Sequence, residues 1–173
     1  ELLRRSYAWI GVSAQFGGVE GYAATSLGLV KLDLKTADAK RYGVLGHPGD
    51  DYCYDIYSQV AKAIRSPGGV NPLAGCRAER ILAVGQSQSA MQLTTYINAF
   101  QPRVQLFDGF LVHGRPCSAS FGSNSPHGGD LSKAEKIDLA DMAPVFIRTD
   151  IGVPVLMLES ETDVMILGYY RAR

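Results

Sequence analysis

A chain of 173 residues, 46% hydrophobic and 20% charged, carries enough apolar side chain for one domain with its own core and too little for two comfortable ones. Lysine plus arginine balance aspartate plus glutamate at 17 each, so no field of one sign exists to recruit nucleic acid or an anionic membrane. The apolar runs fall well short of the roughly 18 residues that span a bilayer. Cys53, Cys76 and Cys117 lack metal spacing and read as buried free thiols rather than a disulfide framework.

Residues 7–14 (YAWIGVSA) are apolar, aromatic and β-branched, which predicts a buried strand. Residues 17–51 are rich in glycine and short polar pieces, with LGHPGDD as the strongest turn cluster, and predict an excursion over the surface. The stretch 54–64 places Ile56, Val60, Ala63 and Ile64 on one helical face, and SPGG ends it. Residues 81–84 read as a short strand. A helix over 90–100 follows, with Met91, Leu93, Ile97 and Phe100 inward, closed by the QP pair. Residues 107–112 predict a third strand, and 114–130 a long loop. A fourth strand over 153–158 releases into the acidic ESETD. Near-continuous apolar strands separated by helices indicate an α/β domain, with a mostly parallel sheet, flanking helices and long loops.

In ILAVGQSQS, residues 81–89, a buried strand meets a helix with almost no connecting residues. So sharp a turn strains its central residue and tolerates only small neighbours two positions away. Gly85 and Ser89 supply those neighbours, which makes Ser87 the candidate nucleophile, at the sheet's carboxyl end and the helix N-terminus. The N–H of Gln88 is then one oxyanion donor. The plainer reading is that Ser87 or Ser89 is no more than a helix cap; the cap role fits Ser89 better, and Ser89 doubles as the elbow's spacer.

An acid is expected downstream of the serine, after a strand. In VPVLMLESETDV that residue is Asp163, with Glu161 and Glu159 as rivals. Alternation along an extended segment puts Glu161 and Asp163 on one side, so periodicity does not separate them. The acid's work is to orient a histidine and stabilise its imidazolium.

GQSQSAMQLTTYINAF, FDGFLVHGR, HPGDDYCYDIYSQ and VPVLMLESETDV together resemble the bacterial alpha/beta hydrolase domain-containing proteins. These form an esterase-like family of the α/β-hydrolase superfamily, and the resemblance runs from YAWIGVSAQ onward. It implies a partial α/β-hydrolase fold, Ser87 as nucleophile and Asp163 as acid. It also implies hydrolysis of a small-molecule ester or acyl bond through an acyl-enzyme, without metal or organic cofactor. In that superfamily a second oxyanion donor comes from a loop ahead of a segment like 7–14, and the catalytic histidine follows the acid. Only VMILGYYRAR follows Asp163, and it holds no histidine. The chain is therefore expected to be a single domain, 1–173, incomplete at both ends, and an inactive fragment when isolated. An unpaired sheet edge is expected to make it prone to aggregate.

None of the three histidines is assigned to the triad. His113 belongs at the carboxyl rim as a pocket residue, His47 in a turn motif near the pocket, and His127 in the exposed part of the 114–130 loop. Asp50, Asp51 and Asp55 stand close to His47, but adjacent aspartates in a turn suit capping of the following helix better than a metal. The competing function is a non-catalytic α/β module that binds a ligand in the same cleft, and an acyltransferase differs only in its acceptor. Neither localisation nor oligomeric state is legible.

Overall fold

In the computed structural model, which describes residues 2–21, 33–119 and 143–172, three of the apolar runs pair side by side. Strands β1 (Leu82–Gln86), β2 (Gly109–His113) and β3 (Val155–Leu158) form a parallel sheet in that order. Helices α1 (Phe16–Glu20), α2 (Leu34–Ala37), α3 (Ala39–Tyr42) and α4 (Cys53–Arg65) precede the sheet. Between β1 and β2 run α5 (Gln88–Thr95), a wider π turn over Tyr96–Phe100 and α6 (Gln101–Val104); α7 (Glu161–Ile166) comes after β3. Parallel neighbours need such a crossover, because a tight hairpin returns the chain antiparallel.

The register aligns the carboxyl ends: Gln86 pairs with His113, and His113 with Leu158. The ladder runs one step further, with Ser87 N–H donating to the His113 carbonyl and Gly114 N–H to that of Leu158, each at 3.0 Å. The residues that leave each strand thereby emerge at one edge of the sheet. Alternation gives one face Ala83, Phe110 and Val112, which pack with Tyr54 and Ala61 of α4 and Leu93 of α5 in a single buried cluster. Tyr57 stacks on Phe107 at 5.1 Å between ring centroids, and Tyr96 meets the same ring edge-on at 5.4 Å. Leu82, Val84, Leu156 and Leu158, on the opposite face, are exposed.

Several expectations are corrected. Residues 7–14 form no strand; 7–11 are exposed and 12–14 half-buried. An apolar run favours burial, but a strand also needs an edge to pair with, and these residues stand across a groove from β1. The buried side of α4 is Cys53, Tyr54 and Ala61, with Tyr57 and Ile64 partly buried, while Ala63 is exposed. The QP pair does not stop the helical path, because Pro102 falls in the first turn of α6, where a missing N–H loses little. Cys76 is exposed, whereas Cys53 and Cys117 are buried, and all three are free. Among its described residues the 17–51 excursion holds short helices, and α2 and α3 are capped by the Asp33 and Asp38 carboxylates. Loop residues 120–130, His127 among them, lie outside the described residues.

Asp108 fastens the start of β1 to that of β2. Its carboxylate accepts from Ile81 N–H at 2.8 Å and Arg65 Nη2 at 2.9 Å, and Arg80 Nη1 stands 3.6 Å away. Burial opposes its charge, but the Ile81 hydrogen bond and the two guanidinium groups outweigh that and hold the carboxyl below the usual aspartate range. A depressed folded-state pKa means stability present above the unfolded value and lost as the pH falls through the folded one. Asp108→Asn is expected to cost about 1 kcal/mol at pH 7. That difference should shrink as the pH drops below about 4, a trend that urea melts at pH 7 and pH 3 will show.

Candidate active site

Ser87 occupies the joint between β1 and α5, with φ 54° and ψ −120°. A side-chain-bearing residue holds so strained a backbone only where its surroundings over-determine it. The determining contact is at Gly85: a Cβ there would lie 2.6 Å from Ser89 O, 2.9 Å from Ser89 C and 3.1 Å from Ala90 N. Strand and helix thus approach backbone to backbone, and only glycine leaves them room. The Ser87 carbonyl accepts from Ala90 N–H at 2.9 Å and from Met91 N–H at 3.2 Å, which opens the helix.

Ser87 therefore holds the N-cap position, but its side chain makes no capping hydrogen bond, and the residue is exposed. The cap expected at Ser89 is not there: Ser89 is the second residue of α5 and serves as the neighbour that Gly85 accommodates. Gln88 is the first residue of the helix, where a backbone N–H has no acceptor within the helix and points out of its N-terminal end.

The neighbouring strand ends supply the other groups. His113, half-buried, closes β2, and its carbonyl receives the Ser87 N–H. Asp163 comes to the same edge from α7: its carboxylate oxygens lie 3.5 and 3.6 Å from where a Cβ on Gly114 would project. Its Oδ2 accepts from Ser160 N–H and Ser160 Oγ, both at 2.8 Å, while Ser160 Oγ accepts from Asp163 N–H at 3.2 Å, a closed capping box. The two Ser160 bonds, with the His113 imidazole behind them, hold the Asp163 carboxyl below the usual range. Capping and site geometry are compatible, because the box uses only Oδ2 and leaves Oδ1 outside it.

The same box begins a helix at Glu161, so alternation along an extended chain does not apply to 159–163. Glu161 is exposed at the first position of α7. Glu159, directly after β3, is partly buried; its Oε1 accepts from Arg115 N–H at 3.2 Å, and Oε2 is buried without a partner among the described residues. Burial first, then the nearby Asp163 charge, pushes the Glu159 carboxyl up, against the pull of Arg115 and His113.

His47 is committed elsewhere. Its Nδ1 accepts from Gly49 N–H at 3.0 Å, which leaves the protonated Nε2 to donate to the Ala14 carbonyl at 2.9 Å. It anchors the far end of the 7–14 segment and does not itself line the groove. Nor does Asp50 cap α4: it is buried, and its Oδ1 accepts from Phe16 N–H at 2.6 Å.

An open groove of about 2240 Å³ runs between residues 7–14 and the outer edge of β1. Trp9, Val12, Tyr57, Leu82 and Val84 make its walls largely apolar, and it reaches Gln88 and Ser89 in the first turn of α5. One residue is not flagged by the sequence patterns at all. Arg115 is fully buried beside the strand ends; the available signal is an arginine in the Gly-Arg-Pro-Cys stretch right after β2.

The comparisons bear on the chain as a whole. A family model described as an alpha/beta hydrolase domain matches residues 1–173. No curated protein and no solved structure matches the sequence. A parallel sheet with flanking helices is consistent with that match. The match covers every residue of the sequence, and the chain belongs to the alpha/beta hydrolase domain family, within the hydrolase superfamily.

Proposed function

We propose that the chain carries the nucleophile and the acid of a serine hydrolase acting on carboxylic esters. Ser87 Oγ attacks the ester carbonyl, and its proton passes to a histidine. The Gln88 N–H at the helix N-terminus receives the oxyanion. The tetrahedral intermediate collapses, the bond to the alcohol breaks, and the alcohol takes the proton from the imidazolium. Water then hydrolyses the Ser87 acyl-enzyme by the same route. Asp163 steadies the imidazolium, at a position held by its capping box and faced toward the β2 end. No proton is assigned to His47, whose two ring nitrogens are engaged; His113 is a rim residue beside the acid.

One observation carries this reading. Ser87 is held at φ 54° without using its hydroxyl to cap the helix it opens. A serine needed only for capping sits in ordinary extended backbone and bonds the N2 or N3 amide. The apolar groove ending at Gln88 and Ser89 suits the acyl or alcohol part of a small, largely apolar ester.

The test is an electrophilic fluorophosphonate on the full-length protein. Covalent labelling is expected and is lost in Ser87→Ala, with the melting temperature within about 2 °C of the parent because one exposed hydroxyl is removed. Turnover falls by about four to six orders of magnitude. A folded full-length protein that takes no label contradicts the reading and favours a ligand-binding module instead.

A further inference from the structure

Arg115 is buried to 0% exposure, two residues beyond the end of β2. The hydrogen-bond partners of its guanidinium among the described residues are neutral. Nη1 donates to Thr94 Oγ1 at 3.2 Å, and Nη2 donates to the Val145 carbonyl at 2.8 Å and the Ala172 carbonyl at 3.1 Å. The Tyr169 ring lies 5.4 Å from Cζ, and the backbone N–H of Arg115 donates to Glu159 Oε1 at 3.2 Å. Arg115 Nε and Glu159 Oε2 are both buried without a hydrogen-bond partner among the described residues.

Packing alone does not account for an arginine here. A buried charge loses its hydration, and an apolar side chain of similar volume fills such a space at lower cost. What the guanidinium supplies is a rigid fork of donors that joins groups remote in sequence. The groups it joins are informative. Thr94 belongs to α5, the helix that Ser87 opens. Tyr169 and Ala172 come just after the six-residue helix that bears Asp163, while Glu159, two residues ahead of that helix, is held by the Arg115 backbone N–H rather than the guanidinium, so the contacts of the residue as a whole bracket the helix.

We propose that Arg115 is the positioning residue of the site: its guanidinium clamps the Ser87 helix to the segment just after α7, its backbone N–H holds Glu159 ahead of α7, and together these contacts set the separation of Ser87 and Asp163. This rests on the reading of Ser87 and Asp163 as nucleophile and acid. Arg115 itself touches neither reacting group. The charged and titratable groups facing the pair are few. Asp163, His113 and Arg115 act on Glu159, and Tyr169, Glu159 and Cys117 act on Arg115, whose own charge burial opposes. Because the Arg115 cation pulls the Glu159 carboxyl down, removing it moves that carboxyl further up.

The experiment compares Arg115→Met and Arg115→Lys in the full-length protein. It tracks the rate of fluorophosphonate labelling, the melting temperature, and the Glu159 titration by carbon-13 NMR, assigned with Glu159→Gln. Arg115→Met is expected to melt cooperatively yet label about 10- to 100-fold more slowly, the effect of an ångström-scale misplacement, with the Glu159 midpoint raised. Arg115→Lys keeps the charge and loses the fork: the Glu159 midpoint stays near the parent value and labelling still slows. Parent-like labelling with an unmoved Glu159 midpoint in Arg115→Met would reduce Arg115 to a space-filler and overturn the proposal. If Arg115→Met does not fold, parent-rate labelling by Arg115→Lys overturns it and slowed labelling supports it. Absence of label on the parent protein strikes the hydrolase reading instead, while the Glu159 midpoints still decide whether Arg115 holds that carboxylate.

Discussion

Gly85→Ala is expected to destabilise the protein by about 3 kcal/mol and to abolish labelling of Ser87. Gly85 is not at positive φ, so alanine suffers no backbone penalty there, and the whole effect is steric. The added methyl would sit 2.6 Å from Ser89 O and 2.9 Å from Ser89 C. Both atoms are backbone, so no side chain can rotate away; either α5 moves off the sheet or β1 leaves its register with β2. Overpacking of this kind costs about 1–3 kcal/mol when side chains absorb it, and rigid backbone puts this case at the upper end. At about 2–4 °C per kcal/mol for a domain of this size, the melting temperature should fall by about 6–12 °C. A variant that melts within about 2 °C of the parent and labels normally would place the close approach elsewhere.

Ser87→Gly is expected to remove the nucleophile and stabilise the fold together. At φ 54° and ψ −120° the serine stores strain of roughly 1–3 kcal/mol, which glycine releases. Glycine's greater freedom in the unfolded chain takes back about 0.5–1 kcal/mol. The net gain is about 1 kcal/mol over Ser87→Ala, which keeps the strained backbone and a Cβ. Both variants lose turnover by about four to six orders of magnitude, so a higher melting temperature in the glycine variant isolates the strain. Ser87→Gly melting below Ser87→Ala would show that the conformation at this joint is not strained.

Much of this framework is written locally in the sequence. Apolar runs at 81–84, 107–112 and 153–158 become the three paired strands, each starting one or two residues later than the run and the first two ending one or two residues later. The shift has a physical cause: the ladder continues through Gly85 and Gln86, polar or small because they approach the rim. The elbow is legible for the same reason, since Gly-x-Ser-x-Ser encodes a steric condition between near neighbours, the one that Gly85 and Ser89 meet. Interactions that converge from afar are not legible. Arg115 is buried because Thr94, Val145 and Ala172 arrive from separate parts of the chain, and no local pattern announces that. The 7–14 segment misleads because its composition states a need for burial without naming a partner edge. Asp163 and Glu161 are inseparable by alternation because a capping box, not an extended chain, governs that stretch.

Mapping the adduct bears most directly on the central claim. Full-length protein is treated with a fluorophosphonate and digested, and the peptide spanning β1 and the start of α5 is sequenced by tandem mass spectrometry. Ser87 and Ser89 are two positions apart and both exposed, so the fragment ions discriminate between a strained nucleophile and a serine that merely neighbours it. The expected result is a single phosphonyl group on Ser87. An adduct on Ser89, on another residue, or on none in a folded protein would contradict Ser87 as the nucleophile.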